Sequence, residues 1–168
     1  MKDRPIGLSL LVYLLGRHTP HDANCPMTIK YHPLPKDILQ LLPGAKDYLQ
    51  THPRVVFAYL FGSLVGGEVR PLSDVDIAVY LAEDSDISQE RFEILGRLVE
   101  LLKTEEIDLV VLNTAPLPLR ARIIRHKEIL VDKMPTLRHS FESLTLREYF
   151  DFSVKEQDIL FRRFGLGR

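Results

Sequence analysis

The stretch that most constrains the fold runs from residue 54 to residue 81, where two apolar runs flank a short polar loop. The first run, RVVFAYLF, is apolar on both faces from Val55 to Phe61, which is typical of a strand buried in the middle of a sheet. The second run begins with two aspartates, Asp74 and Asp76, and continues as IAVYL. The pattern predicts two strands of one sheet, the first of them central.

The two aspartates are predicted to share one face of their strand. Successive side chains of a strand point to opposite faces, so Asp74 and Asp76 lie on the same side, together with Ala78 and Tyr80. Two like charges this close require compensation by solvent or by a cation. Magnesium prefers oxygen ligands and usually takes one or two carboxylates while phosphate and water fill its other positions. The pair therefore indicates a magnesium-dependent phosphate chemistry.

The loop between the two runs has the residues that a phosphate needs. Gly62 ends the first strand, and glycine permits unusual dihedral angles and a close approach of the backbone to a ligand. Ser63 follows with a hydroxyl and a backbone N–H that are available to an anion. Gly66 and Gly67 keep the loop thin enough to admit a triphosphate.

The remaining elements follow from apolar spacing and from capping residues. Residues 34–50 have helical spacing interrupted at Pro43-Gly44, which predicts one broken helix or two short ones. Ser88 is predicted to cap a helix that crosses back over the sheet and buries a face of four residues. That predicted face comprises Phe92, Leu95, Val99 and Leu102. A third strand is predicted over residues 106–112, with Asp108 as the acid inside it.

The C-terminal third is predicted to hold a helix, an edge strand and a long helix. The first helix covers residues 117–126, and its Arg122 and Arg125 lie three apart on one side, as a solvated face or as a phosphate or partner contact. Residues 128–133 resemble a short edge strand. Thr145 and Glu148 form a capping box that predicts the start of the last helix, which Gly165 ends. An aromatic excess on this helix would indicate a protein partner.

The expected fold class is α/β (α+β), a small mixed β-sheet flanked by helices with a C-terminal helix, in one domain over residues 28–168. Residues 1–27 are interpreted as an N-terminal extension. Basic residues and the apolar run of residues 6–15 resemble a signal peptide, but Asp3 and the lack of a small-residue cleavage site argue against one. That run is also too short to span a bilayer, so no membrane association is expected.

Charge and cysteine content exclude several classes of protein. The net charge of −1 and the pI near 6.6 give no general attraction for nucleic acid, so stable nucleic-acid binding is not expected. Cys25 is the single cysteine, so no disulfide forms within the chain. Nothing requires an oxidising compartment, and we expect a cytoplasmic protein.

The spacing of Gly62-Ser63, ten further residues and then Asp74-Val75-Asp76 resembles the GS-x10-D-x-D signature of the nucleotidyltransferase superfamily related to DNA polymerase β. Within it, the chain is most similar to the minimal nucleotidyltransferases, the MntA-type antitoxins encoded beside HEPN-domain toxins. Three segments carry this likeness: Phe61-Gly62-Ser63, Gly67-Glu68 and Ser73-Asp74-Val75-Asp76. Val65 and Gly66 depart from the usual Ala-Arg, and Arg70 is the candidate replacement for the loop arginine.

The resemblance implies a catalytic site with three acids. It places a third carboxylate, Asp108, on the strand after the crossover helix, and nucleotide binding at Gly62, Ser63 and Ser73. Asp74 and Asp76 would bridge two magnesium ions, and Asp108 would bind the ion nearest the acceptor and draw the proton from the attacking hydroxyl. Polymerases and tRNA-modifying relatives add domains that this chain has no room for, so another molecule would present the acceptor.

The resemblance also implies ATP as donor and a tyrosine hydroxyl of a partner HEPN ribonuclease toxin as acceptor, in a hetero-oligomer of the two proteins. Two alternatives stay open. One is a nucleotidyltransferase for small molecules such as aminoglycosides. The other is a catalytically inert antitoxin that neutralises the toxin by binding alone.

Overall fold

The structure is a computed structural model that describes residues 34–66, 73–84 and 86–164, with side chains up to residue 156. Several sequence predictions fall on other residues. The N-terminal extension, the loop arginine Arg70 and the helix stop at Gly165 lie outside the described residues.

Four helices and four strands follow one another along the described chain. In order, they are α1 (Ile38–Thr51), β1 (Val55–Phe61), a 3-10 turn (Gly62–Leu64), β2 (Val75–Leu81), α2 (Ile87–Leu102), β3 (Ile107–Val111), α3 (Leu117–Arg125), β4 (Lys127–Asp132) and α4 (Pro135–Phe164). The strands form one mixed sheet in the order β3-β2-β1-β4. The predicted fold class, a small mixed sheet with flanking helices, is confirmed.

The pairing of the strands fixes which ends of the elements lie together. β1 is antiparallel to β2 and β4, and β2 is parallel to β3. The parallel pair requires a crossover, which α2 supplies. The predictions of a central first strand and of an edge strand before the last helix are both confirmed.

The sheet is covered on both faces. One face carries Ile77 and Val79 of β2, and α1 and α2 pack against it through Leu49 and Leu98. The other face carries the aromatic residues of β1, and α3 and α4 pack there through Ile123 and Phe141. Phe57 lies at the centre of this second core, with the Tyr80 ring stacked 4.7 Å from it. Each strand of the central pair is thus buried on both faces, as its apolar runs predicted.

The predicted break in α1 is wrong. Residues Ile38–Thr51 form one helix with Pro43 inside it. Pro43 and Gly44 are exposed, whereas Ala45 and Leu49 are fully buried against the sheet. Burial of this apolar side offsets the hydrogen bond that a proline removes from a helix interior.

The predicted start and face of α2 are also corrected. The N-cap is Asp86, whose carboxylate accepts hydrogen bonds from the backbone N–H groups of Ser88 and Gln89, so Ser88 lies within the first turn. The buried residues are Ile94, Leu98 and Leu102. Leu95 and Val99 are half-buried, and the Phe92 side chain is 80% exposed. The apolar residues occupy two adjacent sides of this helix, and packing selects the side centred on Ile94.

The last helix begins ten residues before the predicted capping box. It starts at Pro135, and Thr145 lies in its interior with 1% of its surface exposed. A proline is favoured in the first turn of a helix because its missing N–H has no helical partner there. The residues of the capping box are compatible with a helix interior, and tertiary packing places Thr145 against the rest of the protein.

A cluster of charged and polar side chains holds α4 on the sheet. Glu142 accepts hydrogen bonds from the Tyr59 hydroxyl (2.8 Å) and from Arg138 Nη1 (2.9 Å), and its Oε1 lies 2.6 Å from Lys127 Nζ. Arg138 Nε also donates to Asp132 Oδ2 at 2.9 Å. Burial tends to raise the pKa of Glu142, but the hydrogen bonds from Lys127, Tyr59 and Arg138 outweigh it and lower the pKa.

A helix that crosses a bilayer needs about 20 predominantly apolar residues in a row. Within residues 34–164, apart from the two gaps, no helix combines enough length with enough apolar character to span a membrane.

Candidate active site

The predicted catalytic acids lie at one end of the sheet, which we call the acid end. Asp76, the second residue of β2, pairs with Phe61 at the end of β1 and with Asp108 at the start of β3. Asp76 and Asp108 therefore occupy directly opposite positions on adjacent parallel strands. Both point to the face that α3 and α4 cover, because they alternate with residues of the opposite core. Asp74 precedes β2 by one residue.

The exposure of the three acids suits a ligand that arrives from solvent. Asp74 and Asp76 are half-buried and Asp108 is exposed. Asp74 and Asp76 each already take part in an interaction within the chain. The strand register places Asp108 on the same side of the sheet as Asp76.

The turn after β1 brings the backbone against Asp76. Gly62 has a positive φ of +73°, in a region that favours glycine. A Cβ at this position would overlap the Asp76 carboxylate. Leu64, 1% exposed, anchors the turn in the core. The absence of a side chain at Gly62 thus leaves the carboxylate of Asp76 its place at the acid end.

The two serines of the sequence prediction flank the loop between β1 and β2. Ser63 lies in the 3-10 turn and is half-buried. Ser73 is 8% exposed and directly precedes Asp74. The connecting residues 67–72 lie outside the described residues. Ser63 directly follows Gly62, whose backbone contacts Asp76, so the hydroxyl and N–H groups of the turn lie near the carboxylates.

Two arginines reach the acid end from α3. Lys127 pairs with Phe61, which in turn pairs with Asp76, so β4 starts at the acid end and α3, which precedes it, finishes there. Arg122 and Arg125 lie in the last turn of α3 and are exposed. The Arg125 guanidinium lies 5.4 Å from the centre of the Tyr149 ring of α4. Positive charge and carboxylates therefore meet at the same end of the sheet.

Sequence reasoning missed a second group of potential metal ligands. One ligand atom from each of His52, Glu90 and Glu93 lies within 4.8 Å of the other two. His52 precedes β1 and Glu90 lies in the first turn of α2, so this group lies at the end of the sheet opposite the acids. The Arg54 guanidinium already compensates part of the negative charge of this group, because its Nε lies 3.9 Å from Glu90 Oε1. Burial lowers the pKa of His52. None of the three residues belongs to a sequence motif that would have identified the group.

A cavity of about 520 Å³ opens between α1 and β4. Its lining includes Leu42, Leu60 and Leu130, and the last two belong to the core on the face opposite the catalytic acids. The cavity therefore lies on the face opposite the predicted catalytic acids, and Leu64 of the 3-10 turn also lines it.

Comparison with known proteins agrees with the geometry of the acid end. The family described as polymerase beta, nucleotidyltransferase, matches residues 44–136, more than half of the chain. This match includes the Gly-Ser turn and all three acids. No curated protein sequence matches the chain at a significant level.

Solved structures of toxin–antitoxin complexes are similar to the chain. A rebuilt and re-refined structure of a tri-AMPylated HEPN toxin of Shewanella oneidensis with its MNT antitoxin matches with 27% identity and a TM-score of 0.56, over 72% of this chain and 94% of that one. A toxin–antitoxin structure with AMP-PNP matches with 27% identity and a TM-score of 0.56, over 74% and 93%. An MntA–HepT complex gives 26% identity and a TM-score of 0.56, over 72% and 95%.

The family match, the shared fold and the pairing of Asp76 with Asp108 lead to one assignment. This chain is a nucleotidyltransferase and belongs to the polymerase β nucleotidyltransferase family.

Proposed function

We propose that this chain transfers AMP from ATP to a tyrosine hydroxyl of a partner HEPN ribonuclease toxin and thereby acts as its antitoxin. The observation that carries the proposal is the placement of Asp76 opposite Asp108, with the Gly62 backbone against Asp76. The similar structures of AMPylated toxin with antitoxin and of a complex with AMP-PNP support the reaction and the donor.

The acid end fits magnesium. Its candidate ligands are carboxylate oxygens of Asp74, Asp76 and Asp108, which hard divalent cations prefer. Because Gly62 has no side chain, the Asp76 carboxylate can occupy the place that a Cβ would take. Two ions held by Asp74 and Asp76, with Asp108 on the acceptor side, would neutralise phosphate charge and favour in-line displacement.

The residues of the turn bind the donor. Ser63 and the backbone N–H groups next to Gly62 donate hydrogen bonds to the β- and γ-phosphates, and Ser73 contributes its hydroxyl from the other side of the loop. Arg122 and Arg125 add positive charge at the same end of the sheet. These contacts orient the triphosphate so that its α-phosphorus faces Asp108.

Asp108 prepares the acceptor. The tyrosine oxygen forms a bond to the α-phosphorus, and the bond from that phosphorus to the bridging oxygen of pyrophosphate breaks. Asp108 takes the proton of the tyrosine hydroxyl, as a carboxylate within hydrogen-bond reach of the attacking oxygen does in general base catalysis. The products are the AMP-modified toxin and pyrophosphate, so atoms and charge balance.

The domain limits belong to the same proposal. The family match begins at residue 44 and the described fold at residue 34. We assign residues 28–168 to the nucleotidyltransferase domain and residues 1–27 to an extension that the reaction does not use.

Intact-mass measurement of the toxin tests the reaction. The probe is a candidate HEPN toxin, a helical protein with an R-x4-6-H motif from a neighbouring reading frame, and it is incubated with the chain, ATP and magnesium. We expect its mass to rise by whole AMP units. Asp74→Asn and Asp76→Asn should each abolish the increase, because each removes a metal-binding charge. Glu100→Gln, which changes an exposed carboxylate paired with Arg97, is the matched control and should leave the increase unchanged.

Ser63→Ala separates binding from chemistry. Loss of its hydroxyl should weaken nucleotide affinity, measured by titration, while the rate at saturating ATP changes less. Unchanged nucleotide affinity would contradict the role of Ser63. An unmodified toxin with the wild-type chain, or modification that survives Asp76→Asn, would contradict the proposed function.

A further inference from the structure

The last helix extends well beyond the sheet. α4 has 30 residues, about 45 Å at 1.5 Å per residue, whereas the six residues of β4 span about 20 Å. The helix starts just after β4 ends, at the end of the sheet opposite the acids, and runs back along the face that carries them. Its contact with Arg125 at Tyr149 brings it to the acid end. Residues 150–156, which we call the projecting segment, continue past that contact.

The projecting segment is exposed and apolar. Each of its side chains is exposed except that of Ser153, which is half-buried. Phe150 is 57% exposed, Phe152 40% and Val154 65%. Three large apolar side chains within five residues of one exposed helix are more than isolated surface residues, and such a concentration marks an interaction site.

The apolar residues of the projecting segment lie on two different sides of the helix. Phe152 follows Phe141 by eleven residues, which is close to three whole turns, so it continues the side of α4 that covers the sheet. Phe141 packs against Phe57 and Tyr80 on the face shared with the acids. Phe152 therefore points to the acid side of the helix, and Phe150 and Val154, four apart, share another side.

We propose that the projecting segment is the docking surface for the protein that presents the acceptor hydroxyl to Asp108. This inference rests on the proposed function. A partner seated on Phe152 lies on the same face and at the same end of the molecule as the three acids, and Phe150 and Val154 extend the contact around the helix. Docking there supplies the positioning of the acceptor that larger relatives would obtain from additional domains.

The chemistry of the segment favours a protein over a nucleic acid. Its charged residues are Asp151, Lys155 and Glu156, so it carries more negative than positive charge. Nucleic-acid surfaces combine aromatic residues with a basic groove. Exposed phenylalanines with mixed charges around them are typical of the anchors of protein interfaces.

Phe150→Gln with Phe152→Gln, in the full chain, tests the surface. Glutamine keeps the helix propensity and adds no charge near the acids. The matched control is Phe92→Gln, at a phenylalanine that is 80% exposed on α2, the helix that covers the opposite face of the sheet. We expect calorimetric affinity for the HEPN toxin, measured without ATP, to fall about tenfold or more in the double variant and to stay unchanged in the control. Nucleotide affinity should be unchanged in both.

Equal toxin affinity in the double variant and the control would overturn the proposal. Sedimentation of each protein without toxin is a second check. A lower mass for the double variant than for the wild-type chain would also overturn the proposal, because the surface would then join two copies of the chain. So would a melting temperature well below that of the control, because the chain itself would then cover the surface.

The two proposals fail in different ways. A wild-type chain that binds the toxin without modifying it refutes the proposed function, while the affinity of the double variant still decides the docking surface. Normal transfer by the double variant, with an unchanged KM for the toxin, refutes the docking surface and leaves the function standing. Absence of any complex with the wild-type chain refutes both.

Discussion

Gly62 determines whether the acid end can form. Its φ of +73° and the place of its missing Cβ, which overlaps the Asp76 carboxylate, are two independent reasons for glycine at this position. A side chain there would strain the backbone and displace the carboxylate. The Gly-Ser pair predicts a close approach of the backbone to a ligand. In the structure, the Gly62 backbone lies against the carboxylate of Asp76.

Gly62→Ala should destabilise the fold by about 1–3 kcal/mol and abolish AMP transfer, because the new Cβ needs a disfavoured φ and pushes Asp76 aside. Chemical denaturation measures the first effect and toxin mass the second. The matched control is Gly96→Ala in α2, where a Cβ meets nothing within 4 Å. It should stabilise the protein by about 0.5–1 kcal/mol and leave transfer intact. Normal transfer by Gly62→Ala would contradict the role assigned to the turn.

The candidate site residues differ in how far the sequence alone reveals them. Asp74 and Asp76 stand out because two charges at the head of a buried strand are costly without a function. Asp108 is one acid at the start of a strand, and its alignment with Asp76 depends on the register of two strands separated by a helix. The contact between Gly62 and Asp76 also joins two segments across a loop, so local spacing could not specify it.

At the scale of elements, α4 depends on Glu142 for its position. This carboxylate receives contacts from β1, from β4 and from α4 itself. The Lys127 ammonium also lies 4.7 Å from the centre of the Tyr59 ring. Burial and the hydrogen bond to Glu142 raise the pKa of the Tyr59 hydroxyl and keep it protonated. The docking surface projects from this anchored helix, so its direction is set by the same contacts.

The lowered pKa of Glu142 predicts a loss of stability in acid. The ionised form is favoured in the folded state, so its contribution is complete above the ordinary value of 4.5 and is lost as the pH falls through the lower folded value. Glu142→Gln should lower the free energy of unfolding by about 1–3 kcal/mol at neutral pH and flatten its decline below pH 4.5. Urea unfolding across this range measures both effects. Glu100→Gln, at an exposed ion pair, should change neither, and an equal change in both variants would contradict the anchoring role.

Element types could be predicted from the sequence, but several boundaries could not. Apolar runs identified the buried strands because burial on both faces leaves a continuous pattern. Asp86 and Ser88 are both good capping residues, and the packing of α2 decides between them. Thr145 has the chemistry of a helix start, yet its burial inside α4 reflects contacts with distant segments. The capping residues correctly indicated that helices form in these regions, but tertiary packing determined where each helix begins.

The whole molecule has two distinct ends. One end holds the three acids, the Gly-Ser turn, the arginines of α3 and the projecting segment of α4. The other holds His52 and Glu90, where Arg54 Nε lies 3.9 Å from Glu90 Oε1 and the Lys133 amine donates to the His52 carbonyl at 2.6 Å. Donor binding, acceptor chemistry and partner docking are thus assigned to one end of the molecule.

The most direct test of the central claim is the ribonuclease activity of the toxin after the chain has been removed. The toxin is incubated with the chain, ATP and magnesium, separated from it under denaturing conditions, refolded and assayed for RNA cleavage. A toxin treated without ATP, or with the Asp74→Asn, Asp76→Asn double variant, is carried through the same steps. We predict that cleavage stays lost after wild-type treatment with ATP and returns in both controls. Full recovery of cleavage after wild-type treatment would show inhibition by binding alone and would contradict a catalytic role for the three acids.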